Sequence, residues 1–260
     1  MRRRIFLIPA LLSIAVLIAT GLAQGEISQK GNLRITFSGT FSPRELPRDR
    51  LAPISVSIKG QIGTTDESQP PALNHMEFSI NRNGKITTVG LPVCTGAELQ
   101  STTTQAALAR CGSALVGRGH FGADVKFAGP APFPARGAVL AFNSTLKGKP
   151  AILLHLFGTT PVQATFILPL TISHTPKGDF GTILSTRVPR LAGGFGSVTE
   201  IDLELGRNYS FRGKRLSYLS ASCAAPGQFT GVLFSFARGR FEFADGRALN
   251  TTVTRDCRVR

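Results

Sequence analysis

The chain has 260 residues, 42% of them hydrophobic and 17% charged, and it sets 30 Lys and Arg against 15 Asp and Glu for a net charge of +15. So apolar a composition excludes intrinsic disorder, and 28 Gly and 16 Pro without a three-residue glycine period exclude collagen and argue against a helical bundle. A strand-built globular protein of one large domain or two small ones remains.

Residues 1–23 have the layout of a secretory signal peptide. Arg2, Arg3 and Arg4 precede an apolar run over 5–19, and Gly21 and Ala23 supply the small residues of a cleavage site before Gln24. The stretch 5–23 spans nineteen residues and could also just cross a bilayer as an anchor, but Pro9, Ser13 and the small-residue exit favour cleavage. Arg3, Arg4, Phe6 and Leu7 resemble a twin-arginine export signal, which ranks as the second route. Removal of Arg2, Arg3 and Arg4 lowers the net charge from +15 to +12, leaving a basic exported module over 24–260.

Period-two alternation then dominates. Leu33, Ile35 and Phe37 alternate with Arg34, Thr36 and Ser38, and Ile54, Val56 and Ile58 alternate with Ser55, Ser57 and Lys59. Asn83-Gly84 marks a turn. Between Cys94 and Cys111, residues 97–99 and 105–110 have helical composition and Thr102 to Thr104 offer hydroxyls for a cap, so one short helix is expected there. It would serve as a cover for an exposed sheet edge or as a lid over a mouth. Pro130, Pro132 and Pro134 form a linker-like stretch, which allows a subdivision near 129–134. His155 interrupts an apolar strand and reads as a core or edge histidine.

Further turns are expected at Lys177-Gly178-Asp179, Gly193-Gly194 and Asp245-Gly246. Between the last two, Ile201, Leu203 and Leu205 alternate with Glu200, Asp202 and Glu204, and Phe234, Phe236, Phe241 and Phe243 mark two strands or one bulged strand around Gly239. About a dozen short strands with regular turns predict an all-β protein, an antiparallel sandwich of jelly-roll-like or two-part form, or a barrel.

Cys94, Cys111, Cys223 and Cys257 are an even set in an exported chain, which implies disulfides. Three pairings exist, and short-loop closure favours Cys94 with Cys111 and Cys223 with Cys257. No CxxC is present and the four His never fall at ligand spacing, so no metal site is expected. Basic residues cluster at Arg44, Arg48 and Arg50, at Arg207, Arg212, Lys214 and Arg215, and at Arg255, Arg258 and Arg260; the second cluster is the candidate anion-binding site.

Several strings together resemble an uncharacterised group of exported actinobacterial proteins. They are residues 42–47 (Ser-Pro-Arg-Glu-Leu-Pro), 101–104, 107–111, 114–119, 132–137, 217–223 (Ser-Tyr-Leu-Ser-Ala-Ser-Cys) and 243–247. The resemblance implies a secreted or cell-envelope setting and no activity. Separately, residues 199–206 resemble the catalytic motif of laminarinase-like family 16 glycoside hydrolases, which are jelly rolls. That likeness implies Glu200 as nucleophile, Asp202 as its electrostatic neighbour and Glu204 as acid/base. Against it, the chain has no Trp and two Tyr for stacking sugars, and an amphipathic strand with an acidic outer face balanced by neighbouring Arg and Lys explains the same residues.

No GxSxG, HExxH, phosphate-binding loop or dinucleotide fingerprint occurs, so no cofactor is expected, and basic residues without interleaved aromatics give no specific nucleic-acid site. The leading expectation is a non-enzymatic exported β-protein held on an anionic cell-wall polymer or membrane surface. The alternatives are an apolar-ligand carrier and a retaining glycoside hydrolase using Glu200 and Glu204.

Overall fold

The alternating stretches form strands, and most of these join one sheet. The computed structural model describes residues 26–126, 132–160 and 163–260; the expected signal peptide at 1–23, and Pro130 within the proline-rich stretch, lie outside the described residues. In chain order the elements begin β1 (Glu26–Lys30), β2 (Leu33–Ser42), β3 (Glu45–Leu46), β4 (Ala52–Pro53), β5 (Ser55–Thr64), β6 (Leu73–Asn81) and β7 (Gly84–Ile86). Two short helices follow, α1 (Gly96–Leu99) and α2 (Thr104–Cys111), then β8 (Leu115–Val125), β9 (Phe133–Leu146), β10 (Lys149–Gly158), β11 (Ala164–His174) and β12 (Phe180–Arg187). The chain finishes with β13 (Gly196–Leu205), β14 (Asn208–Phe211), β15 (Lys214–Ser217), β16 (Leu219–Ala221), β17 (Gly231–Phe243) and β18 (Ala248–Val259).

Thirteen strands pair in the order β1-β2-β5-β13-β8-β9-β10-β11-β12-β6-β17-β18-β3, antiparallel except where β18 meets β3. The all-β antiparallel class is therefore as the alternation predicts, and the two walls of the expected sandwich are two sides of one curled sheet. β8 and β9, on either side of the proline-rich stretch, are neighbours in it. Curling brings β18 beside β1 and β2. Two contacts pin that seam at its ends: Arg247 Nη1 donates to Asn32 Oδ1 at 2.8 Å, and Arg44 Nη1 lies 2.7 Å from Asp256 Oδ1.

The inward positions fill the curl. Phe37 on β2 lies 5.6 Å from Phe78 and 6.0 Å from Phe241 between ring centres, and Phe41 lies 5.4 Å from Phe236. Such pairs contribute about 0.5–1.5 kcal/mol beyond their buried area. Tight coiling at β8 and β9 requires glycine. A Cβ on Gly119 would stand 1.8 Å from the Asp202 carbonyl oxygen, and one on Gly137 2.1 Å from that of Phe157. Phe234 to Phe243 belong to one strand, bulged between Ser235 and Ala237 and not at Gly239.

The helical segment covers neither an edge nor a mouth. Leu99, Ala107, Cys94, Cys111 and Ala114 pack on Leu140, Phe142 and Leu153, which project from the outer face of β9 and β10 in mid-sheet. These two strands are buried on both faces, which is why 138–142 and 151–154 read as unbroken apolar runs. The expected single helix is split: Thr95 and Glu98 form a reciprocal capping box on α1, and Thr103 caps α2.

Cys94 pairs with Cys111 and Cys223 with Cys257, as short-loop closure predicts, and no free cysteine remains. The second bridge ties the 222–230 loop to β18. Arg48 reinforces it by donating to the carbonyls of Ala225, Pro226 and Phe229. With a sequence separation of 34 between its cysteines, the chain-entropy relation gives about 4 kcal/mol for this bridge. Replacing Cys223 and Cys257 together by Ser is expected to lower unfolding free energy by about that amount in a urea titration.

Candidate functional site

The structure places the sequence-derived candidates on separate surfaces. Glu200, Asp202 and Glu204 point outward from β13, since Ile201, Leu203 and Leu205 face the core. The β5–β13–β8 register sets Gln61 and Gly122 beside Glu200, Lys59 and His120 beside Asp202, and Ser57 and Arg118 beside Glu204. Lys59 Nζ lies 2.9 Å from Asp202 Oδ2, and this hydrogen-bonded ion pair raises the Lys59 ammonium above its ordinary range. The acids thus form a stripe interleaved with cations on the outer wall. Glu200 alone borders a shallow polar depression, with Arg34, Thr36, Gln61 and Thr199.

Arg207, Arg212, Lys214 and Arg215 gather around the β14–β15 hairpin but differ in role. Arg207 Nη1 donates to the carbonyls of Ser113 and Leu115, at 2.5 and 2.9 Å, and anchors the hairpin to the base of β8. Arg212 and Gly213 both have positive φ, 49° and 74°, the pair required by a two-residue turn between right-twisted strands. That turn carries Arg212, over the Phe211 ring at 5.1 Å, together with Lys214 and Arg215 into solvent.

Hairpins elsewhere add cations at the same end of the curled sheet. The registers place there the Lys147-Gly148 turn, the 43–54 segment and the C-terminus. Exposed Arg44, Arg50, Lys147, Lys149, Lys177, Arg258 and Arg260 outnumber Glu45, Asp49, Asp179 and Asp256 on that end, Arg44 and Asp256 being paired with each other. At the opposite end Lys30, Lys126, Arg190 and Arg247 meet Asp66, Glu67, Asp124 and Asp245 in near balance. Hydrogen bonds from Ser68, Asn32 and Thr64 hold the Asp66 carboxyl well below the ordinary carboxylate range.

Inside, three apolar cavities of about 60, 50 and 30 Å³ follow one another along the curl. Phe78 is a wall of all three. The first lies under β7 and β16 at the basic end, the second reaches Leu191 and Val198 at the other. Each exceeds the space a water needs. The third is lined by apolar side chains alone and the second by apolar ones apart from Glu200, whereas the first is also bordered by Asn81, Asn83 and Tyr218. Apolar walls suit apolar molecules better than water. Leaving 60 Å³ empty costs about 1–2 kcal/mol, which an apolar ligand would recover.

His155 is fully buried where the helical cap meets β10. Thr102 Oγ1 donates to the Leu99 carbonyl at 2.7 Å, so its oxygen is left to accept. His155 Nε2 lies 2.9 Å from that oxygen and 3.0 Å from the Thr102 carbonyl, which makes Nε2 the protonated nitrogen. Nδ1 has no partner. Burial pushes the imidazole below its ordinary range, because a second proton would bury a charge with nothing to accept it.

Sequence reasoning grouped Arg255 with Arg258 and Arg260 as surface charge. Only Arg255 is buried, at 7% exposure, because it holds an inward position between Val253 and Cys257 on β18. The parity of Leu249, Thr251, Val253 and Cys257 was the available signal. No protein-family model, no curated protein and no solved structure matches the chain.

Because folded His155 refuses a proton that the unfolded chain accepts near pH 6.5, stability is unaffected well above that pH and falls as pH drops through it. Urea titrations at pH 7.5 and 5.5 are expected to show a larger loss for the wild type than for His155→Gln, which keeps a donor but does not titrate.

Proposed function

We propose that this is an exported, non-enzymatic β-protein that docks on an anionic envelope surface through the basic end of its curled sheet. The observation that carries this reading is the segregation of charge along the strand direction. A net +12 spread evenly would attract anions weakly from every side, whereas clustered cations act within one Debye length of a single surface. Leu51, Phe229 and Leu233 lie exposed at the same end, at 47, 53 and 70%, and suit the boundary between headgroups and acyl chains. Two disulfides support an oxidising compartment, and no described helix is long and apolar enough to cross a membrane. The resemblance to exported actinobacterial proteins agrees with that setting.

Each cation near such a surface contributes about 1 kcal/mol. Replacing Arg212, Lys214 and Arg215 together by Ala is therefore expected to weaken binding to vesicles rich in anionic lipid by roughly 100-fold at low salt. Wild-type binding falls steeply between 50 and 300 mM salt, and flotation assays measure both effects. Binding independent of salt, or unchanged in the triple variant, argues against the docking reading.

A second reading, an apolar-ligand carrier, is favoured by the chain of apolar cavities, whose first member lies at the basic end. Uptake of xenon, an apolar probe small enough for a cavity of about 60 Å³, followed by xenon NMR on the folded protein, is the expected result; no uptake removes this reading and leaves surface docking intact.

A further inference from the structure

We propose that Ser185 is an activated nucleophile that takes the acyl group of a carboxylic ester, with His75 as its base and Glu242 as the positioning residue behind it. This goes beyond the docking reading: it is a modification of the protein itself and uses none of the basic-end residues. β12, β6 and β17 are neighbours in the sheet. Leu184, Met76 and Phe241 face the core, so Ser185, His75 and Glu242 project from the outer wall. Glu242 lies opposite His75 in the β17–β6 ladder. The wall is open to solvent there, with the His75 and Glu242 side chains 25% and 40% exposed and Ser185 half-buried.

Two contacts join the three residues. Ser185 Oγ lies 2.9 Å from His75 Nε2, within hydrogen-bond distance, and Glu242 Oε2 lies 3.8 Å from His75 Nδ1. Arg240, two residues before Glu242 on the same face of β17, holds the other carboxylate oxygen at 2.7 Å, so Oε2 is left to the imidazole. Nδ1 is buried and makes no hydrogen bond. The tautomer follows from these neighbours. A proton on Nε2 would leave the Nδ1 lone pair facing a carboxylate, whereas a proton on Nδ1 points at that carboxylate and turns the Nε2 lone pair toward the serine hydroxyl. In the second arrangement His75 is placed to take the Ser185 proton. Closing the gap at Nδ1 to a hydrogen bond takes a shift of about 1 Å, and contacts of this kind tighten when a substrate binds.

The charged neighbours suit an acyl donor. Glu77 stands opposite Ser185 and Arg187 opposite His75 in the β12–β6 ladder. Arg187 is exposed, and its guanidinium makes no hydrogen bond or ion pair among the described residues. It lies two residues from Ser185 on one face of β12, about 6.4–6.8 Å along the strand. A cation there can meet the oxygen that turns negative as the ester carbonyl is attacked. In that step Ser185 Oγ bonds to the carbonyl carbon while its proton passes to His75 Nε2. The ester's carbon–oxygen single bond then breaks, the same proton leaves with the alcohol, and acyl-Ser185 remains.

The test exposes the intact protein to a fluorophosphonate, which forms a stable adduct on activated serines, and maps the modified peptide by mass spectrometry. The adduct is expected on Ser185 in preference to every other serine. His75→Gln is expected to slow its formation at least about 100-fold. Glu242→Gln is expected to slow it at least about tenfold, and Glu242→Asp to recover part of that loss. With p-nitrophenyl acetate, nitrophenol release by the wild type is expected to be lost in Ser185→Ala. Nitrogen NMR of the wild type, which needs no variant, is expected to show the His75 proton on Nδ1. An unlabelled Ser185, a rate unchanged in His75→Gln, or a proton on Nε2 overturns the assignment. Nitrophenol release that persists in Ser185→Ala and vanishes in His75→Gln makes the imidazole the nucleophile and overturns it as well.

Discussion

One sheet that curls far enough for β18 to lie against β1 and β2 must fill its interior from a single face. That constraint governs the molecule. It demands large rings where opposite sides approach, hence Phe37 against Phe78 and Phe241 and Phe41 against Phe236. It also demands missing side chains where strands bend most, hence Gly119 and Gly137. Rigid rings meeting around a curved wall do not close every gap, and the cavities beside Phe78 are what the mismatch leaves.

The same constraint divides labour between the two faces. Because the inner face is committed to packing, most polar chemistry lies outside, and the acidic positions of β13 are met there by Lys59 and, in register, by His120 and Arg118. Among the described residues the outer face is apolar as well at β9, β10 and Ile167 of β11. There the disulfide-clipped helices supply a second, smaller core, with His155 and Thr102 as its polar joint.

Much of this was legible in the chain. Alternation over 33–37 and 201–205 fixes which residues face inward, and loop length favours the observed disulfide pairing. The curl was not legible, because alternation specifies a face and says nothing of which strands meet; β5 pairs with β13 and β6 with β17, far apart in sequence. The burial of Arg255 could be suspected from parity, but its two unpartnered nitrogens depend on where Asp256 and Glu26 end up, which only folding decides. The cap's position was hidden for the same reason. Unbroken apolar runs announce burial on both faces without naming the cover.

The seam between β18 and β1–β2 has one further implication. Sheet edges left with unused amides and carbonyls invite pairing with another molecule, and proteins ordinarily guard them with charge, bulges or covering elements. Here two edges shelter each other within one chain, held at their ends by the Arg247–Asn32 and Arg44–Asp256 contacts. The five residues of β1 therefore serve less as a structural rib than as a shield. A chain deprived of them would bare the flank of its longest hairpin, β17–β18, and gain a tendency to polymerise edge to edge.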